Sequence, residues 1–296
     1  MNSKNYLFLF LICFFRAYNS YSYHKSVRFC TNRHNVQYAI NSKEYDQIRP
    51  PPPAAAAAVT TSQQKKSGGS GKKRILPQGE KRVKELINPN KLKIIGGTAK
   101  GKRILSPDVY LRPMMSKVRE ALFSTLTHLG LFDSKTAAVL DIFSGSGSVG
   151  LEALSRGADS CTFVDMSPVC TKQSLDNANY LGFPKVKAVT AKAQDVLLYP
   201  LKHGINQTFD LITLTPPYEE VIYQELISAL CNSPVVRADT IIVIEYPVEM
   251  GTLPYILGDD QLYGIRNRKY GRTVLGIYAY RPYKKYDCKP EEFLKL

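Results

Sequence analysis

Five short apolar runs alternate with helix-patterned stretches in the second half of the chain, and this alternation limits the fold more than any other feature. The runs are AAVLDIF (137–143), CTFVDM (161–166), VKAVTA (186–191), FDLITLT (209–215) and TIIVIEYP (240–247). Strands separated by helices form a doubly wound α/β sheet, mostly parallel, whose ligands bind at the carboxyl ends of its strands. Upstream, MMSKVREALFSTL sets Met115, Val118, Leu122 and Leu126 on one helical face with Arg119 to the side. At the other end, QLYGIRNRKYGRTVLGIYAY (261–280) has two β-rich arms around Asn267 to Gly271 and is expected to close the sheet edge as an antiparallel hairpin.

The first run leads into DIFSGSGSVGLEAL, where Gly145, Gly147 and Gly150 satisfy G-x-G-x-x-G between a strand and a helix. Asp165 follows Gly145 by 20 residues, at the end of the next strand. Alone, this is a dinucleotide-binding fingerprint: glycines let a ligand approach the backbone, and the acid accepts from ribose hydroxyls. S-adenosylmethionine uses almost the same arrangement, with a sulfonium amino acid in place of the pyrophosphate. Asp141, four residues before Gly145, would repel a pyrophosphate but can meet the ammonium of a methionine moiety, directly or through water. That charge argument favours S-adenosylmethionine over a nicotinamide or flavin cofactor, and the bland alternative is an Asp141 that caps a buried turn. Asp195 follows the third run and either accepts from the adenine amino group or caps a short helix begun at DVLLYPL.

The fourth run ends in Thr215-Pro216-Pro217-Tyr218. Two prolines have fixed φ and no N–H, so the corner cannot continue as helix and its carbonyls keep one direction. Methylation of an exocyclic amine suits such a corner, since acceptors for the amine protons orient the nitrogen lone pair and positioning supplies much of the rate. Tyr218 can stack on a base, an interaction worth roughly 1–3 kcal/mol. A purely structural corner is the competing reading, which the upstream glycine loop disfavours.

The net charge of +15 is unevenly distributed. Residues 16–90 hold fourteen Lys/Arg against four Asp/Glu, while residues 91–296 hold 25 against 21. The basic surplus therefore says little about nucleic-acid binding by the α/β region. MNSKNYLFLFLICFF carries an apolar run from Tyr6 to Phe15, short for a membrane span and similar to a secretory segment (1–20). The Ser-, Asn-, Tyr- and base-rich stretch that follows has the composition of a transit peptide. A two-step leader points to a plastid such as an apicoplast, with secretion or a mitochondrion as alternatives. RPPPPAAAAAVTTSQQKKSGGSGKKR (49–74) is low-complexity linker, which puts disorder across 21–90 and one folded domain at 91–296. Six cysteines without CxxC spacing and four unclustered histidines suggest no metal site.

Residues 93–281 resemble the RsmD-type bacterial 16S rRNA guanine-N2 methyltransferases. The resemblance rests on KIIGGTAKGKRI, LRPMMSKVREALFSTL, DIFSGSGSVGLEALSRGA, the TPPY corner and RKYGRTVLGIY, in family order. It implies a Rossmann-like class I S-adenosylmethionine-dependent methyltransferase that acts on small-subunit rRNA or the assembling small ribosomal subunit; a monomer without a metal is expected. It further implies a cofactor pocket of Asp141, Phe143, Gly145, Gly147, Asp165, Met166 and Asp195, a catalytic corner of Thr215, Pro216, Pro217 and Tyr218, and an RNA-facing set of Arg112, Arg119, Arg268 and Lys269. Two positions depart from the pattern. Met114 replaces a Thr after Arg112-Pro113, and Thr215 replaces an acidic or amide residue. A Thr hydroxyl is shorter than a carboxylate and neutral, though it can still accept a hydrogen bond. Three explanations stay open: a slower enzyme, a shifted substrate, or a cofactor-binding assembly factor without catalysis. A nicotinamide-dependent oxidoreductase is the remaining alternative, resting on the glycine loop alone.

Overall fold

The computed structural model describes residues 92–109, 111–218 and 220–294. The expected secretory segment, transit segment and linker lie outside the described residues.

The five apolar runs form β1 (Ala138–Ile142), β2 (Ser160–Asp165), β3 (Val186–Thr190), β4 (Leu211–Leu214) and β5 (Ile241–Pro247), all mutually parallel. Between and before them lie α1 (Ser116–His128), α2 (Ser148–Ser155), α3 (Pro168–Leu181), α4 (Ala193–Leu198) and α5 (Tyr223–Cys231). The chain then adds β6 (Ile256–Leu257), β7 (Leu262–Tyr270) and β8 (Thr273–Tyr280) antiparallel, giving the sheet order β3-β2-β1-β4-β5-β8-β7-β6. Strand order reverses beside β1, so the crevice between the ends of β1 and β4 is the switch point at which such sheets bind ligands.

Period-2 alternation divides the strand side chains between two cores. Leu140 and Ile142 of β1, with Ile242, Ile244 and Tyr246 of β5, join α4 and α5 on one face. Val139, Ile241 and Val243 join Val118, Leu122 and Leu126 of α1 with Leu151 and Leu154 of α2 on the other. The α1 stripe begins one residue earlier than the periodicity predicts: Met114 is buried, whereas Met115, the N-cap, is exposed. Met115 has extended ψ and precedes the helix, so helical spacing does not apply to it. The hairpin turn falls at Gly271 and Arg272, with β7 continuing through Tyr270, slightly beyond the expected centre.

Arg119 does not face RNA, contrary to the resemblance. It is fully buried, pairs with Glu152 of α2 at 3.6 Å and donates to the Lys93 carbonyl at 2.6 Å. Glu152 also accepts the Ile95 and Gly96 N–H groups, each at 2.8 Å, and pairs with Arg156 at 2.9 Å. The KIIGG stretch is thus bolted between α1 and α2. Gly97, at φ +74, has no room for a Cβ, which would lie 1.8 Å from the Ser155 carbonyl oxygen.

Candidate functional site

A cavity of about 700 Å³ opens at the carboxyl ends of β1, β2, β4 and β5, a size suited to a small-molecule cofactor. Its wall on the β1 side is the glycine loop. Phe143 takes φ +64, a costly conformation for a bulky residue and one that collects at functional sites. Gly145 follows at φ +53 and lines the cavity with Phe143, Ser144 and Ser146. Gly147 does not line it. Its αL conformation caps α2, and a Cβ there would meet Ser174 and Phe163 at 3.1–3.2 Å, so this glycine serves packing.

Asp165 reaches the cavity from the end of β2 and is held by two backbone donors, Gly145 N–H and Ser167 N–H, each at 2.9 Å and each on a different oxygen. Every carboxylate oxygen has a second lone pair, so both remain able to accept from a ribose diol. Met166 lines the cavity next to Asp165.

Asp141 lies outside the cavity lining, buried beneath the loop. It is 1% exposed, accepts Gly150 N–H on Oδ2 at 2.9 Å, and accepts the Thr213 hydroxyl on Oδ1 at 2.7 Å. The register pairs Asp141 with Thr213 on adjacent strands, which brings the two side chains together. Burial raises its carboxyl to about 6, against the pull of both hydrogen bonds and helped by the Asp165 charge. The turn-capping alternative is therefore the observed role. The cap still bears on the cofactor, because it consumes an N–H of the first turn of α2 that a pyrophosphate would otherwise use.

Asp195 also misses the cavity. It is exposed in the first turn of α4, whose N-cap is Lys192, and its neighbour Gln194 lines the cavity instead. A one-residue error is decisive at a helix start, where successive side chains diverge by about 100°.

The opposite wall is the proline corner. Thr215, Pro216, Pro217 and Tyr218 all line the cavity, together with Arg112 and Glu245. The Thr215 hydroxyl points a long, 3.4 Å contact at the Phe143 carbonyl, which joins the corner to the glycine loop. Tyr218 donates its hydroxyl to Glu245 Oε1 at 2.7 Å and shares a 2.9 Å hydrogen bond with Thr273 of β8. The Arg112 guanidinium sits 5.5 Å from the centre of the Tyr218 ring. Burial, and then the Glu245 charge, push the Tyr218 phenol well above its usual range; with its one proton on Glu245, the hydroxyl accepts from Thr273. Burial likewise raises the Glu245 carboxyl, opposed by the Tyr218 hydrogen bond and by Arg112.

Arg268 and Lys269 are exposed and outside the cavity lining. Their hairpin nevertheless turns at the ligand-binding end of the sheet, because Thr273 pairs with both Pro247 of β5 and Tyr270 of β7. Arg268 is tethered to Glu292 at 3.3 Å. Among the described residues no group of three or more His, Cys, Asp or Glu side chains could hold a metal ion.

Sequence reasoning passed over Ser144, Gln194 and Glu245. Glu245 had a signal, as the one acid in the otherwise apolar run TIIVIEYP. Ser144 had none: the residue is 7% exposed and lines the cavity, and its buried hydroxyl has no hydrogen-bond partner among the described residues. A buried hydroxyl without a partner is costly, and here it marks where a polar group of a ligand fits. With Gly145 giving backbone access, Asp165 for the ribose and Ser144 open, the residues present fit S-adenosylmethionine.

Comparison with known proteins agrees with this geometry. The family model described as Conserved hypothetical protein 95 matches residues 92–279. Ribosomal RNA small subunit methyltransferase D of Escherichia coli (strain K12) is 30% identical over 195 residues, covering 66% of this chain and 90% of that protein. The protein of the same name from Haemophilus influenzae is 29% identical over 170 residues, covering 55% and 84% respectively. Among solved structures, "Putative methyltransferase yhhF" from Escherichia coli matches with a TM-score of 0.55 at 28% identity, over 64% of this chain and 97% of that one. The fold shared with these proteins is the Rossmann-like fold of S-adenosylmethionine-dependent methyltransferases.

Proposed function

Since this chain belongs to the family described as Conserved hypothetical protein 95, the RsmD-type methyltransferases, we propose that it methylates the exocyclic N2 of a guanine in small-subunit rRNA. The observation that carries this reading is the meeting, in one cavity, of the Asp165-braced glycine loop with the Thr215-Pro216-Pro217-Tyr218 corner. S-adenosylmethionine, when bound, supplies an electrophilic methyl group on a sulfonium leaving group. Asp165, Gly145, Ser144 and Gln194 hold the cofactor. The two prolines keep the corner free of competing N–H donors, and Tyr218, braced by Glu245 and Thr273, presents its ring to the base. Thr215 directs its proton towards Phe143, which leaves its lone pairs to accept from the amine.

Purified protein is incubated with methyl-labelled S-adenosylmethionine and either naked small-subunit rRNA or small ribosomal subunits, and the nucleosides are resolved by mass spectrometry. N2-methylguanosine is the expected product. A protein that binds the cofactor yet transfers nothing to either substrate would instead be a ribosome-assembly factor, the reading that the neutral Thr215 favours. The setting proposed is a plastid, on the composition of residues 1–90. Depleting the protein should then remove one N2-methylguanosine from plastid small-subunit rRNA; loss from mitochondrial rRNA alone would move the setting.

A further inference from the structure

We propose that Glu245 supplies the acidic acceptor absent from the Thr215 corner: its carboxylate takes the N1–H and N2–H edge of the target guanine and thereby sets which base is methylated. The inference rests on the guanine-N2 reading above and assigns the specificity of that same site.

Strand register brings the two positions together. Leu214 of β4 pairs with Ile244 of β5, so Thr215 and Glu245 each stand one residue beyond a matched pair, at the same end of adjacent parallel strands. Neighbouring strands lie about 4.8 Å apart, and the two residues line one cavity. The longer Glu side chain, reaching from the adjacent strand, can place a carboxylate in front of the corner where Thr215 cannot.

Glu245 is also incompletely satisfied. Tyr218 fills one position on Oε1, and among the described residues no side chain donates to Oε2 and no salt bridge forms with the group, although the Arg112 charge acts on it. The nearby guanidinium of Arg112 is engaged over the Tyr218 ring. A half-buried carboxylate with open lone pairs on a cavity wall is a ready acceptor for donors that a ligand brings in. The Tyr218 bond fixes the carboxylate beside the ring on which a base would stack.

The chemistry selects guanine. A carboxylate offers only acceptors, two oxygens side by side, and guanine presents two adjacent donors, N1–H and N2–H. Adenine and cytosine each present a ring-nitrogen lone pair at the corresponding position, which the carboxylate repels. Methylation replaces one N2 hydrogen by carbon. The nitrogen lone pair makes the new N–C bond, the C–S pair stays on sulfur, and the displaced proton passes to the Glu245 carboxylate and on to water.

The test compares wild type and Glu245→Gln on small subunits carrying either guanosine or 2-aminopurine riboside at the nucleotide that wild type methylates. 2-Aminopurine keeps the exocyclic amine but replaces N1–H by a lone pair. Wild type should favour guanosine by about 100-fold in kcat/KM, the worth of a charge-assisted hydrogen bond. Glu245→Gln should lower guanosine turnover by a similar factor while its amide donor accommodates 2-aminopurine, bringing the preference within about tenfold. Cofactor affinity should stay within about twofold of wild type, since Glu245 lies on the substrate wall. If Glu245→Gln makes N2-methylguanosine with the wild-type preference, this inference fails and the proposed function stands. If wild type makes no N2-methylguanosine, both fall. Should Glu245→Gln lose the cofactor, Glu245→Asp decides: a kept guanosine preference at reduced rate supports the assignment, and a lost preference overturns it.

Discussion

Two carboxylates, one fully buried and one half-buried, stand towards the ligand-binding end of the same sheet, two strands apart, and they are treated in opposite ways. Asp141 at the end of β1 is closed: one oxygen is held by a backbone N–H and the other by a neighbouring strand's hydroxyl, and neither faces the cavity. Glu245, towards the end of β5, is open: it lines the cavity, and the hydrogen bond its side chain accepts is from Tyr218, on Oε1. Burial raises the carboxyl of both. The difference teaches that burial and charge alone do not identify a ligand-binding acid. What identifies it is the number of lone pairs that the fold has already filled.

The largest expected effect concerns the closed carboxylate. Asp141 has a folded-state pKa of about 6 against a usual 3.8, so its ionisation disfavours the folded chain. The stability contributed by this group is complete below pH 4 and is lost as pH rises through 6. A shift of this size corresponds to about 3 kcal/mol. Asp141→Asn keeps an acceptor for Gly150 N–H and removes the titration. In urea unfolding of the cofactor-free protein, wild type minus Asp141→Asn should therefore be more positive at pH 4 than at pH 7 by up to about 3 kcal/mol. An unchanged difference would mean that Asp141 is not closed off from solvent, and the contrast with Glu245 would collapse.

The next effect concerns the brace of the open carboxylate. Tyr218→Ala removes both the stacking surface and the donor to Glu245, and should cut methyl transfer by about 100-fold with cofactor affinity within twofold. Tyr218→Phe removes only the hydroxyl and should cost about tenfold. Equal losses from the two variants would assign the effect to the hydrogen bond; parallel loss of cofactor affinity would make Tyr218 structural.

The sheet was largely legible in the sequence because parallel strands buried on both faces, as β1, β2, β4 and β5 mostly are, must be written as short apolar runs; the edge strand β3, half-exposed, was legible from its spacing, and all five runs became strands. The site was legible where backbone chemistry defines it, at Gly145, Asp165 and the two prolines. Side chains whose roles depend on distant partners were misread. Arg112 and Arg119 lie seven residues apart, yet one lines the cavity and the other is buried against Glu152, a partner 33 positions away. Asp195 and Gln194 exchanged roles because the start of α4 carries no side-chain cap to mark it. Glu245 stood out as an acid in an apolar run, but its meeting with Thr215 requires β4 and β5 to be neighbours in register, which no single run of residues reveals.

The smallest expected effect is also the sharpest test of the comparison. If Glu245 stands in for an acid at the corner, the two positions are redundant, and a carboxylate restored at 215 should matter little while Glu245 is present. Thr215→Asp alone is then expected to change kcat/KM by no more than about threefold, a gain in acceptor strength being offset by repulsion between neighbouring carboxylates. In the Glu245→Gln background that repulsion is gone, and the same substitution should recover about tenfold of the lost turnover. The non-additivity is the measurement. Strictly additive effects would show that the two side chains act on different parts of the substrate, and abolished activity in Thr215→Asp would show a cavity shaped around the hydroxyl and its contact with Phe143.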